Sequence, residues 1–147
     1  MVVLDANILI RAILGRRVRL LIETYSTQGV RFFTPDVAFA DARKYLPLIL
    51  KKRNKPQVGL SHSLEYLQTM IEPVAPDLYA VFEAEARLRL RGRDEEDWPV
   101  LAAALALACG VWTEDADFFG TGIPVWTTSR VEIFLRTQAR SGVSEGE

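Results

Sequence analysis

Short apolar runs alternate along the chain with longer segments in which apolar residues recur every three or four positions. The runs predict buried strands at residues 2–4, 31–34, 71–74, 111–113 and 124–127. The longer segments predict helices at residues 8–14, 18–28, 34–48, 64–70, 76–90, 98–108 and 129–139. Because strands and helices alternate, we expect an α/β fold, with a short and mainly parallel central sheet between two layers of helices.

Local signals place the ends of these helices and their inner faces. Asn7 is positioned to cap the first helix, and Thr34-Pro35 has the pattern of a capping hydroxyl followed by proline in the first turn. In the helix that follows, Val37, Asp41, Tyr45 and Leu48 share one face, which we predict to be the inner one. The segment 76–90 predicts a single long helix with Leu78, Val81, Phe82, Ala86 and Leu90 facing inward.

Composition limits the class of protein. The chain has 147 residues, of which 49% are hydrophobic, enough for one domain, predicted at residues 1–140 and followed by a mobile tail at 141–147. Its single cysteine, Cys109, excludes a disulfide scaffold and suits a reducing compartment. The longest uncharged stretch, residues 98–113, is too short to span a bilayer. At the N-terminus, no basic segment precedes an apolar one, so we do not expect a secretion signal. We therefore expect a cytoplasmic protein without a membrane segment.

Charge is distributed unevenly, although the net charge is only −1. Residues 1–60 contain 11 Lys and Arg against 4 Asp and Glu, whereas residues 61–147 contain 7 against 15. Such asymmetry is compatible with separate surfaces for a polyanion and for cations, and equally with solvated faces that have no partner. Candidate contacts to a phosphate backbone are Lys51, Lys52, Arg53, Lys55 and Arg11, with Arg16 and Arg17 beside them.

Aspartates occupy positions where the fold should bring them together. Asp5 and Asp115 each end a predicted strand, and the carboxyl ends of parallel strands share one edge of the sheet. Asp97 begins the most apolar helix, and Asp41 lies on the predicted inner face of its own helix. Crowded carboxylates repel one another, and a hard divalent cation such as Mg²⁺ or Mn²⁺ relieves that repulsion. The sequence therefore predicts a metal site at this edge.

Each aspartate also has a purely structural interpretation. Asp97 has the position of a helix cap, Asp115 and Asp117 are typical of turns, and Asp41 has Lys44 nearby as a partner. The only histidine, His62, is expected at the surface or at a helix start, so a ribonuclease with a histidine pair is excluded. A receiver domain is unlike this chain, because Asp5-Ala6-Asn7 lacks its acidic pair.

Three motifs, in order, resemble those of PIN-domain ribonucleases, whose best-known bacterial members are VapC-like toxins. The opening Val2-Val3-Leu4-Asp5-Ala6-Asn7-Ile8-Leu9 resembles the first motif of that family. The acidic segment at residues 94–104 resembles the central motif, and Thr113-Glu114-Asp115-Ala116-Asp117-Phe118 resembles the final one. The resemblance extends from Val2 to about Phe134 and implies a PIN-like α/β/α sandwich.

The resemblance also implies roles for individual residues. Metal-binding roles fall to Asp5, Asp97 and Asp115, supported by Asp117, and catalytic roles to Asp5, Asp41, Asp97 and Asp115. Asp41 stands where the family usually has glutamate, so a direct contact to the metal becomes one through water. Asn7, Asp94 and Thr113 are implied to orient the neighbouring carboxylates.

The resemblance leaves three hypotheses for function. The first is a Mg²⁺- or Mn²⁺-dependent endoribonuclease that is the toxin of a toxin–antitoxin pair, a homodimer held by an antitoxin protein. The second is a PIN nuclease of RNA processing without a toxin role. The third is a catalytically silent PIN-like module that binds RNA or a protein.

Overall fold

A computed structural model describes residues 1–145 of the chain. Its central sheet has five strands in the order β3-β2-β1-β4-β5, and every neighbouring pair is parallel. The short strand β1 is central and pairs with β2 on one side and with β4 on the other. The strands are β1 (Val2–Leu4), β2 (Phe32–Pro35), β3 (Ile71–Val74), β4 (Gly110–Trp112) and β5 (Val125–Trp126).

Helices cover the two faces of this sheet. They are α1 (Ala6–Leu14), α2 (Arg17–Ser26), α3 (Asp36–Lys52), α4 (Leu60–Gln68), α5 (Pro76–Tyr79), α6 (Glu83–Arg89), α7 (Trp98–Leu107) and α8 (Val131–Glu145). Single 3₁₀ turns occur at Ala80–Phe82, Glu95–Asp97 and Ala116–Phe118. Among the residues described here, none belongs to a helix both long and apolar enough to cross a membrane.

Two hydrophobic cores flank the sheet, because neighbouring residues of a strand point to opposite faces. Leu4 and Trp112 belong to the core that contains α1, α3 and α8. Val3 and Val111 belong to the second core, which is built mainly on α7. Both central strands are fully buried, as expected for parallel strands covered on both sides. The α/β/α sandwich predicted from the sequence is therefore confirmed.

The starts of α1 and α3 differ from the prediction. Asp5, not Asn7, is the N-cap of α1, and its side chain accepts a hydrogen bond of 2.7 Å from the backbone N–H of Ala6. Thr34 does not cap α3, because its hydroxyl donates to the carbonyl of Leu4 at 2.7 Å and so links β2 to β1. The cap position of α3 is occupied by Pro35, without a side-chain hydrogen bond.

The predicted inner face of α3 is wrong. Val37, Asp41, Tyr45 and Leu48 are all exposed. The buried residues of this helix lie on another stripe, formed by Ala38, Phe39, Ala42, Leu46 and Leu50. This stripe packs into the core that also contains α1.

The predicted helix 76–90 is interrupted. It consists of α5, a 3₁₀ turn at Ala80–Phe82 and α6, and Leu78 and Val81 are exposed. Tyr79 is buried instead, with its ring 5.8 Å from that of Trp98 and its hydroxyl donating to Asp36 at 2.6 Å. The tighter 3₁₀ turn then changes the phase of the helix.

The last helix is longer than predicted. Helix α8 continues to Glu145 instead of ending near Ala139, so part of the predicted mobile tail 141–147 has helical backbone. Residues 146 and 147 of that tail lie outside the described part of the chain.

Candidate active site

The strand order places one crevice at the centre of the sheet. The order reverses at β1, and in open parallel sheets ligands bind at such a switch point, beyond the carboxyl ends of the strands. Asp5 directly follows β1, and Thr113 directly follows the neighbouring strand β4. Asp97 is the N-cap residue of α7. The predicted convergence of the strand ends is therefore present in the structure.

Asp5 is buried at this edge, with 7% of its surface exposed, and its carboxylate accepts three hydrogen bonds. The N–H of Ala6 donates to Oδ1, while Asn7 Nδ2 and Thr113 Oγ1 donate to Oδ2 at 3.0 and 2.8 Å. Thr113 Oγ1 in turn accepts a hydrogen bond of 2.9 Å from the N–H of Asp115. This network joins the ends of β1 and β4 and fixes the orientation of Asp5.

Three further carboxylates form the aspartate cluster, which comprises Asp97, Asp115 and Asp117. One oxygen of each lies within 4.8 Å of the others. The N–H of Asp117 donates to Asp115 Oδ1 at 2.9 Å, so Asp115 also starts the 3₁₀ turn as its turn interpretation suggested. Asp97 makes no capping hydrogen bond, and its Oδ2 is buried without a hydrogen-bond partner in the part of the chain that is described.

The environment of the crevice favours the protonated forms of Asp97 and Asp5. Burial raises the pKa of Asp97 to about 8, together with a hydrogen bond shared with Asp115 and the charges of Asp5, Asp94 and Asp115. Burial also raises the pKa of Asp5, although its hydrogen bonds from Thr113 and Ala6 oppose that change. The negative charge in this crevice is therefore only partly compensated by the described residues.

The donor set of the cluster fits a hard divalent cation. Its ligand atoms are carboxylate oxygens, which Mg²⁺ and Mn²⁺ prefer, and Asp97 also has a buried oxygen, Oδ2, that lacks a partner among the described residues. The cluster lacks histidine and cysteine ligands. His62 is on α4 with 92% of its side chain exposed, in agreement with the predicted surface position.

Asp94 and Asp41 flank this centre in different ways. The N–H of Asp94 donates to Asp117 Oδ2 at 3.3 Å, and its own carboxylate accepts the N–H of Glu96 at 3.1 Å. Asp41 is exposed on α3 and does not belong to the cluster. It is nevertheless close enough that its charge helps to raise the pKa of Asp5. Asp41 therefore lies near the crevice, but on an exposed face of α3 and not on a buried one.

A groove with a volume of about 840 Å³ lies beside Asn7, and no aspartate is among its lining residues. Asn7, which contacts Asp5, forms part of its wall together with Thr128. Of the predicted phosphate contacts, Arg11, Lys52 and Arg53 line this basic groove, and Arg16 and Arg17 line it as well. Lys51 and Lys55 do not line it. The remaining lining residues are Ile10, Leu14, Gly15, Val18 and Ile49.

Two contacts of the site were missed at the sequence level. Arg93 donates to the backbone carbonyl of Asp117 at 2.6 Å, and Glu114 Oε1 accepts the N–H of Thr128 at 2.7 Å. Both join a side chain to backbone atoms distant in the chain. Any residue provides such backbone atoms, so the sequence contains no signal for these pairs.

Comparison with known proteins gives one match. A sequence model described as a PIN domain matches residues 3–136. No curated protein and no solved structure gives a significant match.

Proposed function

Because the chain belongs to the PIN-domain family, we propose that it is a Mg²⁺- or Mn²⁺-dependent endoribonuclease that hydrolyses RNA phosphodiester bonds. PIN domains are generally metal-dependent nucleases, and this chain has the acidic centre that such chemistry requires. The observation that carries the proposal is the aspartate cluster with the unpartnered, buried Oδ2 of Asp97.

The aspartates have two different roles in the proposed site. Asp97, Asp115 and Asp117 would hold the cation, while the hydrogen-bonded Asp5 adds negative charge and keeps the two strand ends in register. A divalent ion in this position supplies a water of lowered pKa and positive charge beside the scissile phosphate. Since Asp97 has a pKa of about 8, it is largely protonated at neutral pH and must release its proton when it becomes a ligand.

The basic groove is the proposed path of the RNA backbone. Its cationic side chains are exposed, and Asn7 in its wall donates a hydrogen bond to Asp5. Phosphates bound along the groove would place the next phosphodiester bond at the acidic centre. We accordingly assign RNA contacts to Arg11, Lys52 and Arg53 first, and to Lys51 and Lys55 only as outer contacts.

A toxin role is the finer part of the proposal, and it is supported by the resemblance to VapC-like toxins. It implies a cytoplasmic homodimer and an antitoxin that inserts a basic side chain into the acidic crevice. The crevice is suited to such a side chain because its carboxylates are crowded and partly unpaired. A small gene directly upstream that encodes a DNA-binding antitoxin supports this role, whereas its absence favours RNA processing.

The nuclease proposal is tested by incubating the protein with total RNA and Mg²⁺ or Mn²⁺. We expect cleavage in wild type, its loss with a chelator, and its loss in Asp97→Asn. The matched control is Asp77→Asn, an exposed aspartate on α5 that should leave cleavage unchanged. Cleavage that persists in Asp97→Asn, or without divalent metal, would contradict the proposed site.

A further inference from the structure

Two arginines reach from α6 and the turn after it to the loop that joins β4 to β5 (residues 113–124). Arg93 Nη1 donates to the backbone carbonyl of Asp117 at 2.6 Å and also to that of Phe119. Arg89 Nη1 donates to the carbonyl of Thr121 at 2.9 Å, and its Nε is held by Glu85 at the same distance. Both guanidinium groups therefore bind the backbone of the loop.

Glycines make room for these two side chains. Gly120 has a φ of +83°, and a Cβ there would lie 3.2 Å from Arg93 Nη2. Gly122 has a φ of +90°, and a Cβ there would lie 2.9 Å from Arg89 Nη1. Each arginine thus packs against a backbone position that an L side chain would both strain and obstruct.

The contacts converge on one cluster residue, Asp117. Arg93 holds its carbonyl, and the N–H of the next residue, Asp94, donates to its carboxylate Oδ2 at 3.3 Å. The same short segment then continues into Asp97, a second member of the cluster. The separation between Asp97 and Asp117 is therefore fixed by contacts between residues 93–94 and the loop.

The contacts of Arg93 with the loop are hydrogen bonds to backbone carbonyls and involve no carboxylate of the described residues. No described carboxylate forms a salt bridge with Arg93, so its guanidinium is used on carbonyl oxygens alone. Arg93 is also exposed, and exposed hydrogen bonds add little to the free energy of unfolding. The contacts instead hold the loop backbone in position.

We propose that Arg93, assisted by Arg89, is a positioning residue that holds the Asp115–Asp117 segment in the geometry needed to bind the divalent cation. The inference rests on the proposed metal site but does not depend on which nucleic acid is cleaved. Its expected consequence is a change in metal affinity, since supporting contacts around ligands typically contribute about 10- to 100-fold to affinity.

The test is calorimetric titration of Mn²⁺ into metal-free protein. Arg93→Met should bind Mn²⁺ at least about tenfold more weakly than wild type. Arg93→Lys, which can still donate to both carbonyls, should recover much of that loss. The matched control is Arg91→Met, an exposed arginine two positions away that has no side-chain hydrogen bond to the described residues.

Two further measurements separate positioning from a general loss of structure. The thermal midpoint of metal-free Arg93→Met should stay near that of wild type, while amide exchange in residues 116–120 becomes faster. If wild type fails to bind Mn²⁺, the proposed metal site is wrong, and this inference fails with it. If wild type binds Mn²⁺ and Arg93→Met binds it equally well, only the positioning role is wrong.

Discussion

Thr113 and Asp5 lie at the ends of neighbouring strands and are joined by a hydrogen bond of 2.8 Å from Thr113 Oγ1 to Asp5 Oδ2. The same hydroxyl oxygen accepts the N–H of Asp115. Thr113 is fully buried, and its hydroxyl links the first acidic motif to the last one. Asn7 adds a second link, because its Nδ2 donates to Thr113 Oγ1 at 3.3 Å and its Oδ1 accepts the N–H of Glu114 at 3.3 Å. Several properties of the site depend on this arrangement.

Thr113→Val should destabilise the protein by about 1–3 kcal/mol, because it leaves the Asp5 carboxylate and the Asp115 N–H without their shared partner. The pKa of Asp5 should rise further, since the Thr113 hydrogen bond now lowers it. Urea denaturation at pH 7 measures the loss. Thr113→Ser keeps the hydroxyl and is the control. If Thr113→Val is as stable as wild type, the Thr113 hydrogen bonds do not contribute to stability.

Stability of the metal-free protein should fall as pH rises from about 4 to about 8. The pKa of Asp97 is about 8 in the folded state against an ordinary value of 3.8, so in this interval the folded state binds more protons than the unfolded state. Denaturation series in chelator across this range measure the slope. Asp97→Asn should flatten it, whereas Asp77→Asn should not. Saturating Mn²⁺ should restore stability above pH 7, because the cation binds the carboxylates.

Substitutions of Asp41 should affect metal binding less than those of the cluster. Asp41 is exposed and acts on Asp5 only through its charge, so Asp41→Ala should weaken Mn²⁺ binding by roughly two- to fivefold. Asp97→Ala should weaken it by more than about tenfold. Asp41→Glu extends the carboxylate by one methylene and should tighten binding. Calorimetry compares the three variants, and a loss in Asp41→Ala as large as in Asp97→Ala would make Asp41 a direct ligand.

A basic side chain should contribute to RNA affinity only if it lines the basic groove. Arg53→Gln should weaken binding of a single-stranded RNA and reduce the slope of log affinity against log salt by about 0.7. Lys55→Gln, nearby in the chain but outside the groove, should change both quantities much less. Fluorescence anisotropy at several salt concentrations, with Ca²⁺ to prevent cleavage, provides the comparison. Equal effects would indicate a diffuse basic surface.

The layered fold and the convergence of Asp5 with Asp115 could be predicted from the sequence, because buried parallel strands leave a strong apolar signal and their ends must share an edge. The inner face of α3 could not. Its true stripe contains Ala38 and Ala42, which are weakly apolar, whereas Tyr45 and Leu48 are strongly apolar but exposed. A buried stripe that contains alanines has a weak apolar signal, so hydrophobicity alone does not show which face of α3 is buried.

The tertiary contacts that position the aspartate cluster could not be predicted from the sequence either. The break between α5 and α6 accompanies the burial of Tyr79 against Trp98, a contact between separate elements. Arg93 contacts carbonyl oxygens, which every residue has. The sequence predicts that acidic residues meet at this edge, but it does not predict that Asp41 lies outside the cluster of Asp97, Asp115 and Asp117.

The placement of β1 between β2 and β4 has a consequence during synthesis. Thr113 lies 108 positions after Asp5, so a growing chain contains the first half of the acidic centre long before the second. Chains emerge from the ribosome from the N-terminus onward, at about 5–20 residues per second. The proposed metal site can therefore form only after β4 has been translated and inserted next to β1.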